Sequence, residues 1–387
     1  MSEKVIYFDN NATTQVAPEV FQEMIPYLTE FYGNPSSIHR FGGQLAAKID
    51  EARSRLADLL GAQNSEIIFT SCGTESDSSA IISALHNCPK RRKVVISKVE
   101  HPAVLNLGKE LERKGFKVSQ IPVDAKGRLD MDRAAEMIDD ETAIVSVMWA
   151  NNETGNIYPV AELGELAHRN GALFHTDAVQ AVGKIPMNLA ELPVDMLSLS
   201  GHKFHAPKGV GALYVKRGVR FHPFLTGGHQ EHGRRAGTEN LASVIGLGKA
   251  AELAKAHIEE ENTRVRALRD RLEQSILASI PSVRVNGDVE HRLPNTANIS
   301  FSYIEGESIL MLLDMQNICA SSGSACTTGS LEPSHVLRAM GVPYTDAHGS
   351  IRFSFSRYNT EEEVDKVLEV LPPVIARLRQ ISPYWKD

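Results

Sequence analysis

Lys203 lies just beyond the run DMLSLS, in the segment SLSGHKFHAPKGVG. A free lysine amine titrates near ~10.4, so it acts as a nucleophile or base at neutral pH only when desolvated or set near positive charge. A lysine past a strand end is most often a solvated loop residue. Its neighbours offer a different use: Ser200 and His202 can donate to a phosphate, and Gly201 lets the backbone bend tightly. Upstream, Asp177 ends the run LFHTD, with Gln180 three residues on. Such an aspartate either caps the next helix or pairs with a protonated ring nitrogen. The run EIIFTS enters Cys72-Gly73-Thr74-Glu75-Ser76, which reads as a glycine turn with a helix cap, or as an anion cradle at a helix N-terminus. His101 precedes Pro102, a proline suited to a first helical turn. It serves as a cap, as a surface residue, or as a ring that stacks and moves protons. A lysine, a strand-end carboxylate and an anion cradle are the set that pyridoxal 5'-phosphate (PLP) requires. The lysine forms the Schiff base. The carboxylate keeps the pyridine nitrogen protonated, which makes the ring an electron sink.

Cys326 stands in Ser321–Ser330, SSGSACTTGS, a stretch without a large apolar side chain to anchor it. Such a stretch is expected to be exposed and to move. Its thiol is either an inert surface group or a reactive nucleophile that can move. Cys72, Cys88 and Cys319 lack that setting, and Cys72 is expected to be a packed small residue. The four cysteines form no Cys-x-x-Cys pair, so no zinc or iron–sulfur cage, and no other metal site, is expected.

The elements that must position these groups alternate in type. Short runs at 66–71, 93–97, 143–149, 172–177 and 195–200 predict strands, those at 93–97 and 143–149 being rich in β-branched residues. Helical stretches are predicted at 43–60, 103–114 and 160–169. Leu45, Ile49, Ala52, Leu56 and Leu59 share one face of the first. This alternation implies an α/β fold with a mainly parallel sheet and helices on both faces. Ligands of such sheets gather beyond the carboxyl ends of the strands. Past about Ile245, one long amphipathic helix is predicted over 249–280, with Val265, Leu268, Leu272 and Ile276 on one face. NTANISFSY, IRFSFS and a last helix follow, suggesting a smaller α+β domain. At 387 residues two domains fit. Net charge is −7, from 48 acids against 41 bases, which gives no sign of nucleic-acid or anionic-membrane partners. There is no signal pattern at MSEKVIYFDNNATT and no apolar run of membrane length. With so few thiols, these features lead to an expected place in the reducing cytoplasm.

Eleven motifs stand in one order over nearly the whole chain: YFDNNATT, GNPSSIH, FTSCGTESD, EHPAV, MWANNETG, HTDAVQAVGK, SLSGHKFHAPKGVG, GRRAGTEN, LPNTANISF, SSGSACTTGSLEPSHVLRAM and IRFSFSR. Together they resemble the class I cysteine desulfurases of the PLP-dependent aminotransferase superfamily, and in particular the nitrogenase-associated, NifS-type branch. The resemblance implies PLP fold type I. A large domain over 15–255 would hold a mainly parallel seven-stranded sheet. A smaller α+β domain from 1–14 and 256–387 would carry the cysteine loop. It makes Lys203 the Schiff-base lysine, Asp177 the partner of the pyridine nitrogen and Gln180 that of the phenolic oxygen. His101 stacks on the ring and moves protons. Thr74, Ser200, His202 and the Gly73 backbone hold the phosphate, while Thr238 reaches the phosphate of a neighbouring subunit. Asn152 and Arg352 hold the substrate carboxylate, and Asn11 lies near the substrate entrance. Cys326 takes the sulfur of L-cysteine as a persulfide, leaving L-alanine. The implied assembly is a homodimer, and the implied acceptor is an iron–sulfur scaffold protein.

Other readings share these residues. An aminotransferase or a selenocysteine lyase uses the same fold, and a sulfur carrier without catalysis would retain it. The chain departs from the family pattern at His232, where arginine is expected, and at Ser356, where many relatives outside this branch have glycine. Relatives of the other long form extend past the last helix, so any contacts made by such a tail are not expected here.

Overall fold

The computed structural model describes residues 5–322 and 332–385. Seven strands form its central sheet: β1 (Ile67–Thr70), β2 (Lys93–Ser97), β3 (Lys117–Ile121), β4 (Thr142–Ser146), β5 (Leu173–Asp177), β6 (Met196–Ser200) and β7 (Gly211–Val215). Their spatial order is β1-β7-β6-β5-β4-β2-β3. Only β7 runs against its neighbours, so the other six strands end on one side. Both faces are covered, which is why these strands read as nearly unbroken apolar runs. Alternation sorts them: Ile68, Val94, Ile96, Ile144, Met196 and Leu213 enter one buried cluster. Ile67, Phe69, Val95, Val145, Phe174 and Leu197 enter the other. Helices α1 (Gly73–Asn87) and α2 (Pro102–Arg113) pack on the first face through Ala80, Ile81, Ala84, Val104 and Leu111. The helix Ala46–Leu60 and helix α3 (Leu241–Ala256) cover the second.

The long helix predicted over 249–280 is not continuous. Helix α3 starts earlier, at Leu241, and ends at Ala256, with His257 as its cap. A short turn over Ile258–Glu260 and a wide π-turn over Glu261–Val265 then lead into α4 (Arg266–Ser279). The early start was hidden because residues 241–248 are buried on every side, which erases amphipathic periodicity. The break follows from Asn262, whose side chain donates to the carbonyls of Lys184 and Ile258, both at 2.8 Å. A side chain that bonds nearby carbonyls competes with the regular ladder, and widened turns of this kind recur at functional places.

A third buried cluster lies beyond that break. A three-stranded antiparallel sheet of β8 (Val283–Val285), β9 (Thr296–Phe301) and β10 (Ser350–Ser354) has β9 in its centre. Helices α4 and α5 (Glu361–Ile381) pack on it through Leu268, Leu272, Ile276, Val364, Val367 and Leu371. Ile351 and Phe353 point into this cluster. Arg352, between them, is aimed at the opposite face by the two-residue period of the strand.

Candidate active site

Five parallel strands deliver the site. Just past their carboxyl ends, β1 leads to Gly73 and Thr74, β2 to His101, β4 to Met148 and Asn152, β5 to Asp177 and Gln180, and β6 to Ser200, His202 and Lys203. All of these line one cavity of about 550 Å³. Arg352 closes it from β10, and Asn11, Leu310 and Ala320–Ser322 line it too. Of the residues singled out from sequence, eleven meet here: Asn11, Gly73, Thr74, His101, Asn152, Asp177, Gln180, Ser200, His202, Lys203 and Arg352. Thr238 is exposed and is not among the lining residues. Cys326 lies outside the described residues. Cys72, read as a packed small residue, is half-buried and lines the cavity. His232 is exposed, and buried Ser356 receives no part of this lining.

The Lys203 amine donates to the carbonyls of Asn11 at 2.7 Å and Ala12 at 2.8 Å. Burial, with the positive charges of Arg352 and Lys184, pushes its pKa down to about 7. Asp177 is buried, which pushes its carboxyl up, while His101 and Lys203 pull it back. One of its oxygens accepts from the Val179 N–H at 2.9 Å. His101 caps α2 by accepting from the Ala103 N–H at 3.2 Å, and burial lowers its pKa. The cap and the catalytic reading of this ring are therefore compatible.

Arg352 is held as a fork. One Nη donates to the Asn152 carbonyl at 2.9 Å and the other to Asp9 at 2.8 Å. Its backbone pairs with Ser321 in both directions, the shorter bond being 2.6 Å. Asn11 is buried, and its side chain bonds Thr296 at 2.8 Å and Asn295 at 3.0 Å. Its carbonyl, rather than its side chain, meets Lys203 and Gln180.

Sequence reading missed Asp77, Asp9 and the wall contributed by Leu310 and Ala320. Asp77 follows Gly73 by four residues, so helical spacing alone places both on one face of α1. Beneath Asp177 runs a buried line of side chains. His175 shares one hydrogen bond with Ser146 at 2.8 Å and another with Ser198 at 2.9 Å, and Asp77 lies 3.7 Å from the same ring. Burial drives the His175 pKa down to about 3, so the ring is neutral.

The donor set fits PLP. The N-terminus of the fifteen-residue helix α1, with Thr74, Ser200 and His202, provides an anion cradle. At Gly73 a Cβ would meet the Val179 side chain at 2.8 Å, so only glycine leaves the cradle open. Gln180 gives its Nε2 to Asn11 at 3.0 Å, and its buried Oε1 has no hydrogen-bond partner. A buried polar atom of that kind calls for one.

Residues 6–367 match the family described as aminotransferase class-V. The chain is 60% identical to the cysteine desulfurase NifS of Azotobacter vinelandii over 381 residues, covering 98% of this chain and 95% of that one. It is 62% identical to a cysteine desulfurase of Gluconacetobacter diazotrophicus over 382 residues, covering 98% and 96%. A solved structure titled a NifS-like protein superposes with a TM-score of 0.91 at 39% identity, covering 97% of this chain and 100% of that one. A structure titled SspA in complex with cysteine gives 0.81 at 33% identity, covering 92% and 99%. The chain therefore belongs to the class-V aminotransferase family and, within it, to the NifS-type cysteine desulfurases.

Proposed function

We propose that the chain takes the sulfur from L-cysteine with PLP as cofactor, passes it to Cys326 as a persulfide and releases L-alanine. The observation that carries this reading is one cavity lined together by Lys203, Asp177, the anion cradle and Arg352. When bound, PLP supplies an aldehyde for the substrate amine and a ring that takes up electrons from Cα. Thr74, Ser200, His202 and the Gly73 N–H hold its phosphate. Asp177 keeps a proton on the ring nitrogen, and Gln180 meets the phenolic side. Lys203, with a pKa of about 7, takes a proton from Cα and returns one near neutral pH. Arg352 binds the substrate carboxylate in its planar fork beside Asn152. His101 moves protons near the sulfur. The Cys326 thiolate attacks the substrate sulfur: an S–S bond forms and the Cβ–S bond breaks. The electron pair stays with the carbon fragment and is protonated there, so cysteine and a thiol become alanine and a persulfide.

Both described flanks of the Cys326 stretch support its role. Ser321 and Ser322 line the cavity. Ser334 donates to Glu153, the neighbour of Asn152, and His335 bonds the Glu100 carbonyl at 2.9 Å. The test is Cys326→Ala with L-cysteine. It is expected to bind cofactor and substrate, change absorbance, form no persulfide by mass spectrometry and lose alanine release by more than about a hundredfold. Alanine to Cys72, Cys88 or Cys319 should leave a substantial rate. Near-normal alanine release from Cys326→Ala without added thiol refutes the assignment.

We also read the working unit as a homodimer in which Thr238 completes the partner's phosphate site. Exposed Tyr32 and Phe41 stack edge-on at 5.2 Å and Phe31 lies 6.0 Å from Tyr27, an apolar group suited to a subunit contact. The sulfur acceptor is an iron–sulfur scaffold protein, with a role in nitrogenase cluster supply. No helix among the described residues is long and apolar enough to cross a membrane, and we place the enzyme in the cytoplasm. The break at His257 falls at the edge of the division we propose: 15–255 as the large domain, 1–14 and 256–387 as the small one.

A further inference from the structure

Lys184 is a second buried lysine beside the site, and the chemistry above does not use it. It follows Gly183, whose positive φ of 76° and close neighbours Ala254 and Phe204, at 3.1 and 3.2 Å from a hypothetical Cβ, fix the turn that carries it. Its side chain is 6% exposed, and its amine donates to the backbone carbonyl of Lys203 at 3.1 Å. The residue's own carbonyl accepts from Asn262 in the π-turn at 2.8 Å. Glu261 lines the same cavity of about 20 Å³ as Lys184, with Lys203, His257, Ser356 and Arg357. Its Oε2 is buried and has no hydrogen-bond partner. A buried lysine and a buried glutamate lining one small cavity, the lysine bonded to the backbone of the cofactor lysine, are costly to build and call for a function.

We propose that Lys184 is a positioning residue for Lys203: its buried ammonium, tied to the Lys203 carbonyl, disfavours a second positive charge on the Lys203 amine and keeps that amine in its nucleophilic form. Glu261 in turn holds the proton on Lys184. The charges around Lys203 act in both directions. Arg352 and Lys184 weaken its hold on a proton, while Asp177 and Asp9 strengthen it. Around Lys184, burial opposes the charge and Glu261 supports it. Arg357, itself cationic, faces Glu261, and the neutral-leaning imidazoles of His202 and His205 lie within reach of the Lys184 charge. Burial lowers the Lys184 pKa against the pull of Glu261, and burial raises the Glu261 carboxyl to about 7; the division of roles requires that Lys184 still keep its proton to higher pH than Lys203.

The inference rests on Lys203 being the cofactor lysine, and the test separates the two. The full-length apo chain is labelled at lysine Cε with carbon-13 and titrated by NMR, with Lys203→Ala and Lys184→Arg used for assignment. Lys184→Gln keeps a hydrogen-bond donor, on a side chain one atom shorter, but not the charge. In that variant the Lys203 midpoint is expected to rise by about half a unit or more, and Lys184→Arg is expected to leave it near its place. An unchanged midpoint in Lys184→Gln overturns the proposal, and so does an equal rise in both variants, which would make packing the cause. If Lys184→Gln does not fold, the wild-type titration decides: Lys184 must lose its proton above Lys203, and the reverse order overturns the proposal. None of these readings depends on where the cofactor attaches, which reductive labelling reports on its own.

Discussion

Lys203 and Asp177 show how burial assigns work to ordinary groups. The amine is pushed down to about 7 and the carboxyl is pushed up. Lys203 must be unprotonated to take the Cα proton, so kcat is expected to rise with pH along a limb centred near 7 and then to flatten. The same depression affects stability. Between about 7 and ~10.4 the unfolded chain holds a proton that folded Lys203 has lost, so the apo protein gains stability as pH rises through that window. Lys203→Ala is expected to remove both the limb and turnover. Borohydride reduction of the wild-type holoenzyme followed by peptide mapping should place the phosphopyridoxyl group on Lys203. A label on another lysine would sink the assignment.

The elements that bring these residues together differ in how clearly they announce themselves. Strands β2, β5 and β6 were legible because short, largely apolar runs end abruptly at serine or aspartate. The start of α1 was legible from Gly73 and Thr74. Replacing Gly73 with alanine tests the cradle. The new methyl group meets Val179, whose N–H bonds Asp177, so the strain reaches the ring-nitrogen partner. Cofactor affinity is expected to fall about tenfold, or about 1.4 kcal/mol, in an equilibrium titration. Fold stability should move by only about 1–2 kcal/mol, because overpacking is partly offset by alanine's helix preference. What stayed hidden was non-local. The break after α3 depends on Asn262 reaching Lys184, 78 residues away in sequence. Leu310 and Ala320 line the cavity through the packing of a separate cluster, which no local pattern announces. Arg352 was found through its motif alone, because an arginine between Ile351 and Phe353 otherwise reads as an edge-strand charge.

At the scale of the whole molecule, Thr238 is the residue that one chain leaves unused. Sedimentation equilibrium at assay concentrations is expected to find a dimer, and Thr238→Ala should loosen the cofactor several-fold without dissociating it. A fully active monomer refutes the shared site. The neutral ring of His175, bonded to Ser146 on one side and Ser198 on the other, has a consequence of its own. The three residues sit on adjacent strands, and His175 and Ser198 each lie two positions before the last residue of their strand, Asp177 and Ser200. The line therefore runs crosswise, and it adds a side-chain tie to the backbone ladders that fix the register of β4, β5 and β6. The spacing between the ring-nitrogen partner and the amine is thus set by side chains as well as by the backbone, like the rungs of a ruler.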